Sequence, residues 1–180
     1  FVNNYTFFRI NYMIEFETER LMVRRLRADD KDNFFLLNGS EEVMRYIRAT
    51  KTREESEAHL ETILADEAAN PTAGIGRWLI AEKATGNFVG AFAIIPIPSE
   101  PEKTQLGYSF IPEAWGKGYA TEVSKAGLLF FLEKTDIPEI YGVTETANTA
   151  SMKVLQKAGF QFHSIKMEEG KELTIFIVRR

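Results

Sequence analysis

The chain has 180 residues, of which 44% are hydrophobic and 27% charged, with a formal net charge of −4 and no cysteine. Length and composition predict one globular domain, and the acidic balance argues against a nucleic-acid partner, which usually needs a basic face. The lack of cysteine excludes disulfides, a thiolate nucleophile and Cys-ligated zinc, and it fits a cytoplasmic protein.

The first clear pattern begins at residue 21. Residues 21–26 read as a strand, with Leu21 and Val23 spaced to point toward one face. We interpret residues 1–17 as an N-terminal extension or leading segment, and residues 18–180 as a single domain.

Three helices are predicted in the next stretch. Asp29 and Asp30 offer an N-cap to the first, Ser40 caps the second, and Thr52 with Glu55 forms a capping box for a longer third helix. The apolar residues of the last two helices predict their buried faces, which comprise Val43, Met44, Ile47, Ala58, Leu60, Ile63 and Leu64.

Strands dominate the second half of the chain. Residues 78–82 and 88–95 predict a hairpin, residues 104–111 a further strand, and residues 117–134 a long helix. A strand at 139–146, a helix at 149–158 and a hairpin of strands 160–167 and 173–178 complete the order. The longest apolar run, residues 126–132, is far too short to cross a membrane. This order predicts an α+β fold with a largely antiparallel sheet of six to seven strands and helices on both faces.

A glycine loop lies between the strand at 104–111 and the long helix. Gly116 and Gly118 leave the backbone amides of a helix start open to a ligand, which suits phosphate oxygens. A tight turn without a ligand explains the same pattern. A dinucleotide fingerprint fits poorly because Thr121 stands where its third glycine belongs, and a P-loop fits poorly because Gly118 follows Lys117 instead of Ser or Thr.

Three motifs together resemble the GNAT superfamily of acetyltransferases, and in particular the branch of ribosomal-protein N-terminal acetyltransferases. Residues 106–112 and 115–122, LGYSFIP and WGKGYATE, are similar to its acetyl-CoA pyrophosphate loop, with Trp115 in place of the family's Gln or Arg. Residues 148–160, NTASMKVLQKAGF, resemble its Asn-x-x-Ser helix, and residues 18–21, TERL, resemble its opening strand.

The resemblance implies an enzyme that transfers an acetyl group from acetyl-CoA to a primary amine, with no metal. A backbone N–H near Phe110 and Ile111 would stabilise the oxyanion, and the same strand edge would bind the pantetheine arm. The implied cofactor-binding residues are Phe110, Ile111, Gly116, Lys117, Gly118, Tyr119, Ala120, Thr121, Asn148 and Lys153.

Ser151 is the candidate general acid because the family's Ser occupies this place, although a first-turn serine also bonds its own backbone. Asn148 is equally suited to cap its helix. Tyr108 and Glu145 are candidates to supply a proton or to orient the amine. His59 and His163 lie outside the motifs, so no general base stands out.

Other interpretations stay open. The loop also fits an acyl-CoA-binding sensor without activity or a nucleotide-binding domain, and the acceptor is a peptide N-terminus or a small amine such as a polyamine, an antibiotic or an amino acid. The acidic helix at residues 54–67 would attract cations or merely face water. A homodimer is expected, because Ile175-Phe176-Ile177-Val178 could leave an apolar or strand-edge surface.

Overall fold

The structure, a computed structural model, describes residues 13–180, so most of the predicted N-terminal extension lies outside the described residues. Eight strands form one sheet in the order β1-β2-β3-β4-β5-β6-β8-β7. They are β1 (Ile14–Glu17), β2 (Leu21–Arg25), β3 (Gly76–Glu82), β4 (Phe88–Ile97), β5 (Glu100–Phe110), β6 (Glu139–Glu145), β7 (Gln161–Glu168) and β8 (Lys171–Arg179).

Five helices accompany the sheet: α1 (Lys31–Asn38), α2 (Glu41–Met44), α3 (Arg53–Ala69), α4 (Tyr119–Lys134) and α5 (Thr149–Lys157). Two of the three expected caps form, whereas Asp30, at the N-cap position of α1, makes no capping hydrogen bond because its carboxylate accepts from Arg24 and from the Arg27 N–H. Ser40 Oγ accepts from the Val43 N–H at 3.3 Å, and the Thr52–Glu55 capping box forms in both directions. No described helix is long and apolar enough to cross a membrane.

The α+β fold class is confirmed, but the sheet has eight strands where six or seven were expected. The extra strand is β1, which the boundary at residue 18 assigned to the leading segment. Phe16 of β1 stacks on Phe130 of α4, with 5.0 Å between ring centroids. Residues 14–17 alternate apolar and acidic side chains, as a strand does, and this contact, together with pairing to β2, makes them part of the sheet.

Helices cover both faces of the sheet. Helices α4 and α5 pack on one face, which we call the α4/α5 face, where the buried cluster includes Phe92, Val123, Phe131 and Leu155. Helices α1 and α3 cover the opposite face above β2 and β3, and α2 packs on the same face above Ala91. Two residues of the expected buried faces, Ala58 and Ile47, are exposed instead. Ala58 is exposed because α3 turns Ser56, Leu60 and Ile63 inward, and Ile47 lies in the turn after α2, which ends at Met44.

The expected apolar surface at residues 175–178 is absent from the described part of the chain. Ile175, Phe176 and Ile177 are buried, because β8 is inserted between β6 and β7 and is therefore interior. Strand β7 occupies the sheet edge instead. A continuous apolar run is typical of a strand covered on both faces, and it carries no information about an edge.

Strands β5 and β6 diverge. They are the one parallel pair among the described strands and share a single register pair, Gln105↔Tyr141. Strand β5 nevertheless continues along β4 as far as Gly90↔Phe110, and β6 continues along β8 as far as Glu145↔Leu173. The carboxyl-terminal halves of β5 and β6 therefore enclose a gap, and this is the sheet edge where ligands bind in many α/β folds.

Candidate active site

The glycine loop stands at one side of this gap, at the start of α4. Gly116 and Gly118 both adopt a left-handed backbone, with φ of 73° and 81°. Within the described residues, a Cβ at Gly116 would meet no atom within 4 Å, and one at Gly118 would meet only Arg20 Nη2, at 3.6 Å. The first amides of α4 therefore border open space, where the helix dipole favours an anion. This arrangement fits the pyrophosphate of coenzyme A, with Lys117 exposed beside it.

The first turn of α4 is held by two carboxylates. The buried Tyr119 donates its hydroxyl to Glu82 at the end of β3. Glu122 accepts from the Arg20 backbone N–H at 2.9 Å and from Arg20 Nε at 2.7 Å, and it also accepts from the hydroxyl of Thr18. The loop is thus fastened to the two strands beneath it.

These contacts change the pKa values of the two carboxyl groups. Burial alone would raise the pKa of Glu122, but the hydrogen bonds from Thr18 and Arg20 outweigh burial and lower it. The bond from Tyr119 lowers the pKa of Glu82. Arg20 and Glu122 were missing from the predicted site, although the TERL motif contains the arginine and the loop motif ends on Glu122.

Trp115 replaces the family's Gln or Arg and performs a structural task. Its indole Nε1 donates to the Phe110 carbonyl at 2.8 Å, which folds the loop back on the end of β5. The ring is about half exposed. The rings of Tyr108, Phe110 and Tyr119 follow one another from the gap to the loop, with centroids 6.2 and 6.5 Å apart.

The backbone of β5 turns alternate amides toward the gap. Ile111 N–H donates to Val89 O at 3.1 Å, on the β4 side. Because antiparallel pairing alternates along a strand, Ser109 and Gly107 also bond toward β4, and the amides of Tyr108 and Phe110 point toward the diverging β6. Phe110, rather than Ile111, therefore has the N–H that faces the gap.

Tyr108 and Ser151 meet across the gap. The Tyr108 hydroxyl lies 3.1 Å from Ser151 Oγ, in the first turn of α5. Burial raises the pKa of Tyr108 to about 12, even though the bond to Ser151 acts in the opposite direction. The tyrosine therefore stays protonated at neutral pH and, through Ser151, can donate a proton but not accept one.

The remaining predicted residues lie at two separate positions, on helix α5 and at the end of strand β6. Asn148 caps α5 by accepting from the Ser151 N–H at 3.1 Å, and Lys153 is exposed on the same helix. Glu145 ends β6 on the opposite face of the sheet, where its carboxylate forms an ion pair with Lys171. Residues 13–180 contain no group of three or more His, Asp or Glu side chains placed to hold a metal ion.

A helix start that borders open space, beside a gap between diverging parallel strands, fits the acetyl-CoA-dependent enzyme class that the motifs imply. The family model for the acetyltransferase (GNAT) domain matches residues 20–161, and the chain belongs to this family. The resemblance inferred from the motifs is confirmed, and the protein is an acetyl-CoA-dependent N-acetyltransferase.

Individual relatives agree with this assignment. The uncharacterized N-acetyltransferase YoaA of Bacillus subtilis is 29% identical over 81% of each chain. An FsC-acetyl coenzyme A-N(2)-transacetylase of Aspergillus fumigatus is 28% identical over 79% of this chain and 63% of its own length. Both are more similar in sequence than the solved structures described next.

Solved structures share the fold. A GNAT-family acetyltransferase of Bacillus anthracis superimposes with a TM-score of 0.79 at 19% identity, covering 93% of this chain and 98% of its own. An acetyltransferase of Salmonella typhimurium that modifies the N-terminal serine of ribosomal protein L7/L12 gives 0.76 at 14% identity, over 93% and 99%. Spermidine N-acetyltransferase of Vibrio cholerae, in complex with CoA and spermine, gives 0.74 at 18% identity, over 88% and 95%.

Proposed function

We propose that the enzyme acetylates an amine by direct attack on the thioester within a ternary complex, in the gap between β5 and β6. The observation that carries this proposal is the bond between Tyr108 and Ser151 at the point where the strands diverge. Acetyl-CoA supplies the activated acyl group. The residues around the gap bind it, stabilise developing charge and deliver one proton.

In this proposal the glycine loop binds the phosphate groups of acetyl-CoA. The amides that follow Gly116 and Gly118 would hold the pyrophosphate, and Lys117 would add a positive charge beside it. The ion pair of Arg20 with Glu122 keeps this helix start in place without presenting an uncompensated carboxylate to the phosphates. The Asn148 side-chain oxygen already accepts the capping hydrogen bond, and the remaining polar groups of this side chain would bind the pantetheine arm of the cofactor.

The Phe110 N–H is our candidate for the oxyanion donor. Attack of the amine turns the thioester carbonyl into an oxyanion, and a preorganised backbone donor is usually the largest contribution to its stabilisation. Trp115 fixes the Phe110 carbonyl at 2.8 Å, so the end of β5 is held before the substrate arrives.

The departing thiolate would receive its proton from the Tyr108–Ser151 pair. In the balanced step the C–N bond forms and the C–S bond breaks. Ser151 gives its hydroxyl proton to sulfur and takes the proton of Tyr108, and Tyr108 regains a proton from solvent. The amine loses its own proton to solvent, and Glu145 lies on the amine's side of the sheet to orient it. The ion pair with Lys171 offsets the charge of Glu145, which limits this contribution.

For the acceptor we favour the α-amine of a peptide. An α-amine with a pKa of roughly 7.7–8.0 is partly neutral at pH 7, whereas a lysine amine near roughly 10.4 is almost entirely charged. Acidic residues of α3 would attract a polyamine, but Lys31 already pairs with Glu57 and Glu61 at 3.2 and 3.4 Å. These ion pairs reduce the negative charge that α3 could offer to a polyamine. A polyamine is the second candidate because the similar Vibrio cholerae structure is a spermidine N-acetyltransferase.

A panel assay tests the proposal. Thiol release from acetyl-CoA would be measured with short peptides bearing free N-termini, the same peptides blocked at the N-terminus, spermidine, an aminoglycoside and free amino acids. We expect release with the free peptides and none with the blocked ones. Faster release with spermidine would favour the second candidate, and no release with any amine would contradict the proposal.

We also propose that the protein forms a homodimer through the edge strand β7. Phe162, Ile165 and Met167 are 60%, 53% and 67% exposed, and an exposed strand edge can pair with a second copy. Light scattering should give twice the 20.5 kDa mass of the chain, and Ile165→Lys should return it to the monomer. A monomeric wild-type mass at high concentration would reject the dimer.

A further inference from the structure

Gly107 is a glycine without a local structural reason. It lies inside β5, where glycine weakens a strand through its backbone entropy and its lack of a side chain. Its φ is not in the positive region. Within the described residues, a Cβ at this position would meet no atom within 4 Å. Neither the backbone nor the packing therefore requires glycine here.

All the other glycines are explained by the structure. The chain has 12 glycines, and every one lies in its described part. Seven adopt a positive φ, which favours glycine. Four would place a Cβ within 3 Å of a neighbour, as Gly127 would at 2.1 Å from the Phe92 ring and Gly142 at 2.5 Å from Leu155. Gly107 stands apart because it has neither a positive φ nor a neighbour that a Cβ would meet.

Gly107 faces the side of the sheet opposite the Tyr108–Ser151 pair, because successive residues of a strand point to opposite faces. It pairs with Ala93 of β4. The same face is presented by Ala91, which contacts the α2 cluster, and by Tyr141 and Val143 of β6. A thioester lying in the gap would thus have its proton donor on the α4/α5 face and Gly107 on the other.

This geometry suits the reaction. The amine attacks the carbonyl carbon from one face while the leaving sulfur receives a proton from the other side. The same sheet face also bounds a cavity of about 200 Å³, which lies beside Tyr141 and Val143 of β6 and is also lined by Lys103 and Lys166. Gly107 does not line this cavity, so this face has open space beside Gly107 and, next to Tyr141, a separate cavity.

We propose that Gly107 is a specificity-determining residue: it lacks a side chain because the acceptor crosses β5 at this point, with its main chain against the strand and its first side chain directed to the cavity. The inference rests on the proposed amine acetylation. The ligand class is an acceptor with an extended chain adjoining its amine, as in a peptide N-terminus.

Gly107→Val tests the inference, because the new side chain would fill this space without a clash in the free protein. The acceptor KM should rise at least tenfold, whereas the Kd for coenzyme A and the melting temperature should stay at the wild-type value or improve. Gly107→Ala should give a smaller rise. Gln161→Val, which adds the same side chain to an exposed position of β7, is the matched control and should change none of these quantities.

The outcomes separate the two proposals. A wild type that acetylates peptides, together with a valine variant of unchanged acceptor KM, would overturn the inference alone. A loss of coenzyme A affinity as large as the rise in acceptor KM would also overturn it, because Gly107 would then accommodate the pantetheine arm. A wild type inactive toward every amine would overturn the proposed function and this inference with it.

Discussion

The hydroxyl of Tyr108 lies 3.1 Å from Ser151 Oγ, so one hydrogen bond joins strand β5 to the helix that follows β6. The two strands part below this bond and share only the register pair Gln105↔Tyr141. The bond therefore spans the gap on the α4/α5 face and places two hydroxyls where a leaving thiolate would emerge. All five predictions below concern this pair or the helix start beside it.

Replacing Tyr108 with Phe should lower kcat while leaving the affinity for coenzyme A nearly intact. General acid catalysis typically contributes about 10²–10⁴-fold, and a thiol with a pKa of roughly 8.5 is already a fair leaving group, so we expect a loss of about 10–10²-fold. Steady-state kinetics and calorimetric titration with coenzyme A measure the two effects. Unchanged kcat would assign the proton to solvent.

Ser151→Ala should also lower kcat, by at least roughly tenfold, with little loss of stability. The cap of α5 uses the backbone N–H of Ser151 and the Asn148 side chain, so the hydroxyl can be removed without breaking it. Thr149→Ala, in the same turn but exposed, is the control. The Tyr108→Phe, Ser151→Ala double variant should lose less than the product of the single losses, because the two groups act as a unit. Multiplicative losses would argue for independent action.

The pH dependence of stability should carry the signature of Tyr108. Because burial raises its pKa from 10 to about 12, the folded state disfavours the phenolate. The corresponding stability is fully present below pH 10 and is lost as the pH rises through 12. Between about pH 8 and pH 11, a range that contains the ordinary tyrosine pKa of about 10, the melting temperature should therefore decline less steeply in Tyr108→Phe than in the wild type. Parallel curves would mean that Tyr108 is accessible to solvent.

Gly118→Val should weaken coenzyme A binding strongly, because a side chain would stand over the helix start and the residue has a φ of 81°. Left-handed backbone costs a non-glycine residue about 1–2 kcal/mol, so some loss of stability is expected as well. Gly170→Val, with a φ of 78° in the β7–β8 turn, is the matched control for strain. If both variants kept full affinity, the loop would not be the pyrophosphate site.

Glu122→Gln should destabilise the protein at neutral pH by about 1.5–3 kcal/mol, the typical contribution of hydrogen bonds to a charged group. The pKa of Glu122 lies below its ordinary value of 4.5, so its stabilisation is present above that value and is lost as the pH falls through the lowered pKa. The wild type should therefore lose its advantage over the variant in acid. Glu113→Gln, at an exposed position of the same segment, should show no such pH dependence.

The sequence by itself determined the local features. The capping box at Thr52 and Glu55 and the glycines at the start of α4 each depend on residues within one turn of chain. The helices predicted at residues 117–134 and 149–158 begin and end within about two residues of α4 and α5, and the motif pattern was specific enough to indicate the family. Such signals are local because capping bonds and left-handed glycines involve immediate neighbours.

Only the tertiary structure decided which distant segments meet. Tyr108 and Ser151 are 43 residues apart, and Arg20 and Glu122 are 102 apart. The motifs contain all four residues but do not say which of them meet, because strand order and strand divergence are set by the packing of the whole sheet. The insertion of β8 between β6 and β7 buried the apolar run at residues 175–177. The hydrogen bond from the Ile111 N–H to the Val89 carbonyl means that the Phe110 N–H is the one that faces the gap. Strand pairing is non-local, so the local sequence can specify each strand without specifying which strands lie beside it.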